Sequence, residues 1–400
     1  MKYLSSYQNQ IFRRGSSASA ALPFSPDAWE RAARQALDGP AFDYIAGAAG
    51  RELTAAANTA AFERWGLMYR VLRDETLVDP SLTLLGTPMS MPVLLAPAGV
   101  ADLAHPEGEC AAARAAAGAG VTMVLSAGTS ASMEDVADAA PEGRRWFQFA
   151  WSGDDRLARS LVARAEAAGY EAIMLMGDCY RAGWRPREMV SGFYPFRHGH
   201  GMGNYVSDPR FRELAGLDAA GAGLGNDIEL AEAVVSTWNR VLTRPSLRAR
   251  DLAVLRSWTK LPIAVKGVCR PDEAAELVDA GADAIVVSNH GGRQLDSGVA
   301  ALDCLAPVVA AVEGRAPVLF DSGVRTGTDV LIALALGASA VMVGRPWLYG
   351  LAVGGQAGVE HVLHCLRAEF TDALALVGHR RCDTLNRGDL VRLDNSVAGS

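Results

Sequence analysis

Ala284-Ile285-Val286-Val287-Ser288-Asn289-His290-Gly291-Gly292-Arg293-Gln294-Leu295-Asp296 is the stretch from which the fold can be read. Its first four residues form a short apolar run rich in β-branched side chains, the pattern of a strand buried on both faces. A base, two glycines and a guanidinium then stand together at the strand's carboxyl end. In barrels and doubly wound α/β sheets, ligands bind at that end. His290 takes up a proton near neutral pH, and Arg293 grips a carboxylate with two parallel hydrogen bonds. A surface loop holding an idle His and Arg is the competing reading, and the remaining strands decide between the two.

Outward from this stretch the same rhythm repeats. Short apolar runs stand at Pro92–Ala96, Thr122–Leu125, Trp146–Phe149, Ala172–Met176, Pro262–Val265, Pro317–Phe320 and Ala340–Val343, which with Ala284–Val287 makes eight. Alanine-rich amphipathic segments lie between most of them: Glu107–Ala117, Arg156–Ala168, Pro271–Ala280, Asp303–Val312 and Thr328–Leu336. Eight short apolar strands alternating with helices predict an α/β protein with a (β/α)8 TIM barrel. A dinucleotide-binding sheet is the rival, but no GxGxxG follows a strand, and Gly221, Gly223 and Gly225 fall in an irregular stretch. The barrel spans residues 90–350 of a single 1–400 domain, after a helical extension at 1–60 in which Ser25-Pro26 reads as a helix start. A C-terminal helix and tail are expected over 355–400. Between the fourth and fifth strands roughly eighty residues intervene, where a barrel usually has roughly twenty to thirty. This insertion, 179–255, reads as an active-site lid or subunit contact.

Composition narrows the function classes. A net charge of −7 and the lack of any Lys/Arg run argue against nucleic acid as a partner. No stretch is apolar enough to span a bilayer, and the N-terminus shows no signal-peptide pattern. The six cysteines form no CxxC pair, as expected of thiols in a reducing cytoplasm. His198-Gly199-His200 hints at a metal, but no suitable third ligand lies nearby in the sequence, so none is expected.

In a barrel the residues after each strand face one pocket. Pro97-Ala98-Gly99 follows the first strand, a turn whose bare backbone suits a flat ring. Ser126 and Gln148 end the second and third, Asp178 closes the fourth, and Arg185 follows in the lid. Lys266 ends the fifth, and His290 and Arg293 follow the sixth. After the seventh come Asp321-Ser322-Gly323 and Arg325, and after the eighth Gly344-Arg345, a phosphate cradle of glycine amides and arginines where barrels bind phosphate. Tyr44, from the helical extension, reaches this site or packs as an ordinary core tyrosine. A phosphate cradle, a lysine, a histidine and arginines suit a phosphorylated flavin and an anionic substrate, with Lys266 stabilising the reduced ring. Pyridoxal phosphate on Lys266 is the alternative, disfavoured by the neutral Ser126/Gln148 edge.

These motifs resemble the FMN-dependent L-2-hydroxy-acid oxidase and dehydrogenase family over nearly the whole chain, through SNHGGRQLD, Val265-Lys266-Gly267 and DSGVRTGTDV. Segments such as Gly183-Trp184-Arg185-Pro186-Arg187-Glu188 and Asn204-Tyr205-Val206-Ser207-Asp208-Pro209 look closest to lactate 2-monooxygenases within it. The resemblance implies FMN as cofactor, oxygen as acceptor and a homotetramer or larger assembly. It implies His290 as the base, paired with Asp178, taking either the α-proton or the hydroxyl proton. By the same resemblance Arg293 and Arg185 bind the carboxylate with help from Tyr44. Lys266 sits at the flavin N1–C2=O edge, and Ser126, Gln148 and Ser288 hold the ring. Asp321 takes the ribityl chain, and Gly323, Arg325, Gly344 and Arg345 the phosphate.

Departures from the family pattern point at the substrate. Ala150 stands where the family has a tyrosine two residues after Gln148, Gly128 replaces a bulky residue, and Met176 replaces a threonine. A pocket enlarged for an aryl or bulky 2-hydroxy acid is therefore expected. If product and peroxide stay together under the lid, oxidative decarboxylation follows. An FMN oxidase of a different biosynthetic intermediate and a non-catalytic FMN-binding protein are the alternatives, the last opposed by the intact His290, Arg293 and Lys266.

Overall fold

The computed structural model describes residues 6–14, 22–72, 78–217 and 228–393; Met1 to Ser5 and the glycines Gly221, Gly223 and Gly225 lie outside the described residues. Eight parallel strands close on themselves: β1 (Val93–Leu95), β2 (Thr122–Leu125), β3 (Arg145–Phe149), β4 (Ile173–Met176), β5 (Ile263–Val268), β6 (Ala284–Val287), β7 (Val318–Phe320) and β8 (Ala340–Val343). β8 returns to β1 with Val341 opposite Val93, so no strand edge is left open. Each strand coincides with one of the eight apolar runs.

The two-residue alternation along each strand builds two cores. Leu94, Val124, Trp146, Met174, Ala264, Val286, Leu319 and Met342 point inward and fill the barrel. Their neighbours, among them Leu95, Phe147, Leu175, Val265 and Val287, point outward and pack on the helices. A hairpin of Leu82–Leu84 and Thr87–Met89 sends Leu84 and Met89 into the inner core. Trp65–Leu67 pairs antiparallel with Leu390–Arg392. Neither sheet was expected; at three residues per strand, no periodicity marks them.

The expected helices appear as Gly108–Ala119, Asp155–Ala167, Pro271–Asp279, Ala301–Val312 and Gly327–Ala335, joined by a short Met133–Ala139 with a Ser132/Asp135 capping box. The C-terminal helix starts earlier than expected, running Arg345–Leu376 directly off β8. Gly354 and Gly355 leave helical geometry within it (φ −144° and +57°), so the glycines that masked its first turns in the sequence kink it in the structure. In the extension, Ser25 caps the helix Pro26–Ala36 as expected, and Tyr44 rides on Gly39–Ala46.

The insertion after β4 folds over the carboxyl mouth of the barrel. It carries Pro186–Ser191, Gly203–Val206, Pro209–Ala215, Ile228–Val241 and a last helix, Leu252–Arg256, of only five residues. Side chains tie it down: His200 Nδ1 lies 2.6 Å from Asp102, Gly201 N–H donates to Ser130 Oγ (2.8 Å), and Met133 N–H donates to Asn204 Oδ1 (2.8 Å).

Candidate active site

One corner of the barrel mouth is shaped by a β-bulge. Between Lys266 and Val268 the register of β5 against β6 slips by one residue, and Gly267 takes up the slack at φ +100°. A Cβ there would stand 2.5 Å from Asp178 Cγ, so only glycine lets β5 approach the carboxylate this closely. Asp178 Oδ2 in turn lies 3.2 Å from His290 Nδ1. His290 itself sits at φ +59°, a strained setting for a non-glycine residue. It is held there because its N–H donates to Ser288 Oγ (3.0 Å) and the next N–H, of Gly291, donates to Ser322 Oγ (3.0 Å).

Electrostatics reinforce this geometry. Burial works against ionisation of Asp178, but the His290 ring and the Lys266 ammonium outweigh it and bring its carboxyl down to about 2. Lys266 is buried with its Nζ 2.9 Å from Asp321 and 2.8 Å from Ser288 Oγ. Burial alone would lower its pKa; the Asp321 and Asp178 carboxylates reverse the direction. A lysine held charged between two carboxylates is in the less reactive form toward an aldehyde, which weighs against the pyridoxal reading. Cys179, unremarked in the sequence, places its thiol 3.4 Å from His290 Nδ1, and burial beside Asp178 pushes that thiol well up. Among the described residues Asp178, Cys179 and His290 are the one group clustered closely enough to hold a metal. The His198/His200 pair is used otherwise: His200 binds Asp102, and His198 stacks on Phe193 at 5.3 Å.

Across the cavity stand the arginines. Arg293 donates to the carbonyls of Tyr44 and Gly47 (2.7 Å each) and to Glu188 (3.0 Å), with its guanidinium 5.2 Å from the Tyr44 ring centre. Arg185 donates to the same Glu188 oxygen at 2.9 Å. Glu188 thus aligns two like charges that would otherwise repel; burial and then Arg185 lower the Arg293 pKa. Its part was missed, although it closes the Arg-Pro-Arg-Glu motif three residues after Arg185, the spacing of one helical turn.

The cavity enclosed by these groups measures about 460 Å³ and is lined by Tyr44, Pro97, Ala98, Gly99, Ser126, Gln148, Lys266, His290, Arg293, Asp321, Ser322, Gly323, Arg325, Gly344 and Arg345. Ser288 and Asp178 are the expected site residues that do not line it: both stand behind the wall, Ser288 holding Lys266 and His290, and Asp178 lying against the His290 ring. Ser126 Oγ donates to Gln148 Oε1 at 3.2 Å, presenting a neutral polar edge. Lid residues Tyr194, Phe196 and Trp238 complete the roof, a contribution that sequence reading did not resolve to individual residues. Gly128 lines the cavity, and Phe196 bounds the space beside it, 3.8 Å from where its Cβ would stand and stacked on Trp238 at 4.1 Å. Ala150 lines the cavity together with Met176.

The donor set fits a phosphorylated flavin. Arg325 and Arg345 are half-buried, with no carboxylate within salt-bridge reach of either guanidinium among the described residues. Burial and the neighbouring Arg325 and Arg293 charges depress Arg345 to about 10. Two such cations beside the Gly323 and Gly344 backbone suit a polyanion, and the phosphate of FMN is one. Lys266 at the opposite end suits the ring edge that gains charge on reduction.

Comparison with known proteins agrees. Residues 33–392 match the model of the FMN-dependent dehydrogenase family. L-lactate oxidase of Lysinibacillus sphaericus is 40% identical over 377 residues, 94% of this chain and 95% of the relative. 4-Hydroxymandelate oxidase of Amycolatopsis orientalis is 41% identical over 356 residues, 87% and 93% of the two chains. A crystal structure of mandelate oxidase with (S)-4-hydroxymandelic acid superposes with a TM-score of 0.81 at 39% identity, covering 92% of this chain and 98% of that one. With the barrel, the cradle and these matches together, the chain belongs to the family of FMN-dependent dehydrogenases.

Proposed function

We propose that this enzyme oxidises an L-2-hydroxy acid to the 2-oxo acid with oxygen as the final acceptor, and that its acid is aryl or otherwise bulkier than lactate. The observation that carries the reading is that His290, backed by Asp178 at 3.2 Å, lines the same cavity as Arg185 and Arg293. Bound FMN supplies the two-electron acceptor. Arg185 and Arg293 hold the substrate carboxylate, each with N–H donors beyond those given to Glu188, and Tyr44 adds its hydroxyl. That grip presents the carbinol to His290, which removes a proton from the α-carbon or from the hydroxyl. Both routes leave an imidazolium, and the ionised Asp178 beside it stabilises that charge. Lys266, Ser126, Gln148 and the 97–99 backbone hold the ring system; Asp321 takes the ribityl hydroxyls; Gly323, Arg325, Gly344 and Arg345 take the phosphate.

The bulk of the acid is inferred from Ala150. A tyrosine hydroxyl there would give a small substrate one more hydrogen bond, worth about 1.5–3 kcal/mol to a charged group and so roughly tenfold to a hundredfold in rate. Its absence leaves space that an aryl ring fills. Anaerobic flavin bleaching by (S)-mandelate-type acids should outpace bleaching by L-lactate; a clear preference for lactate refutes the bulky substrate. The lid over the cavity also favours retention of product with peroxide, giving oxidative decarboxylation, and release of carbon dioxide in place of hydrogen peroxide would establish that outcome. We place the enzyme in the cytoplasm, with its six free cysteines, as a homotetramer or larger. The exposed Trp184 and Val190 of the lid offer apolar surface for that assembly.

A further inference from the structure

A second cavity of about 310 Å³ adjoins the first and shares Ala150, Met176, Cys179, Tyr180, Thr243 and Lys266 with it. Its origin lies in the element order. The outer faces of most barrel strands are covered by helices of nine residues or more, whereas the last helix before β5 is Leu252–Arg256, of five. Leu175 and Val265, outward-facing residues of β4 and β5, therefore line an open space that the lid segment roofs with Leu247 and Leu252. Trp151 and Leu277 close its sides. Charged groups occur on its wall as well: Arg248, Glu273 and Glu276 are exposed, so this part of the wall meets solvent. Folded interiors hold few voids larger than a water molecule, and an apolar space of this size beside a reaction pocket is the size of a ligand site.

We propose that this second cavity is a tail site: the acid oxidised here carries an extended apolar side chain that passes Ala150 and Met176 and lies between the lid and the outer face of β4 and β5. The inference rests on the 2-hydroxy-acid reading above and adds to it the shape of the substrate, long as well as wide. Ala150 is the hinge of the argument, because it belongs to both walls and any large side chain there would stand in the passage. A chain buried along this path gains about three- to fourfold in kcat/KM per methylene. The gain stops when the tail reaches the charged rim.

The test uses the FMN-loaded enzyme with the 2-hydroxy acids of four, six, eight and twelve carbons, and (S)-mandelate as reference. The matching 2-oxo acids are titrated calorimetrically without turnover. We expect kcat/KM and 2-oxo-acid affinity to climb with chain length and then level off. Leu277→Trp and Leu247→Trp, which fill the second cavity from opposite sides, should each lower the twelve- to four-carbon ratio of kcat/KM at least tenfold; either variant suffices if the other fails to fold. Flat chain-length dependence, or an unchanged ratio in a folded variant, overturns the tail site while mandelate bleaching still upholds the hydroxy-acid reading. If no acid in the series bleaches the flavin, that reading fails and the tail site falls with it.

Discussion

At the scale of single residues, the chemistry depends on a charge that burial opposes. Asp178 is worth having in the site only as a carboxylate, and His290 with Lys266 keeps it one, at about 2. The direction fixes its pH behaviour. A carboxylate whose folded pKa lies below its unfolded value adds stability that is fully present above the unfolded pKa. That stability is lost only as pH falls toward the folded one. Asp178 therefore stays ionised across the range where enzymes are assayed, and it does not set the acid limb of activity there. Asp178→Asn keeps the shape and removes the charge that stabilises the imidazolium. We expect kcat to fall by about 10²–10⁴, the usual range for general-base assistance, with FMN affinity within about twofold of wild type. A fall in FMN binding that matches the loss of activity would show Asp178 to be structural instead.

At the scale of elements, the lid is held by a bond whose strength depends on pH. His200 on the lid lies 2.6 Å from Asp102 on the barrel, and this hydrogen bond outweighs partial burial to raise the histidine pKa. A raised folded pKa means the contribution is fully present below the unfolded value and is lost as pH rises through the folded one. Both side chains are partly exposed, so the effect is small. The melting temperature of His200→Gln should trail wild type by on the order of 1–2 °C at pH 5.5, and the gap should close by pH 9. A gap constant across that range would exclude the ion pair as its cause. The elements differ in how far they were legible. Every barrel strand was, because a doubly buried strand is a continuous apolar run and cannot hide. The residues after those strands were legible too, since a barrel leaves them one place to go. Glu188 and Phe196 were not: a lid position depends on long-range packing, and neither carries a local signature of the contact it makes. The wall facing Gly128 is set this way, with Phe196 supplied from a segment nearly seventy residues away in the chain.

On the scale of the whole molecule, the site is assembled from parts that fold against one another. The extension is integral to it: Ala49 N–H donates to Gly292 O (2.9 Å), Gly50 N–H to Trp184 O (2.8 Å), and Asn58 and Asn289 exchange amide hydrogen bonds at 2.8 Å. Extension, β6 loop and lid are thereby clipped together around the cavity. The same assembly brings Arg325 and Arg345 near each other, half-buried, and desolvation lowers the pKa of both. Arg345 has the Gly291 and Gly47 carbonyls to offset this, while among the described residues the Arg325 guanidinium donates only to the Val324 carbonyl, at 3.0 Å. Arg325 is thus a cost to the protein alone and a gain once an anion arrives. FMN should raise the melting temperature, the stabilisation reaching about 2.7 kcal/mol at a hundredfold excess over Kd. Inorganic phosphate should raise it by less. Arg325→Met removes the cost and the gain together. Its FMN-free form should melt no lower than wild type, while FMN affinity falls by about tenfold to a hundredfold, the worth of a charge-assisted hydrogen bond. Differential scanning calorimetry of both proteins, with and without FMN, measures the two effects side by side. If the FMN-free variant melts well below wild type, Arg325 holds the fold together and is not held in wait for a phosphate.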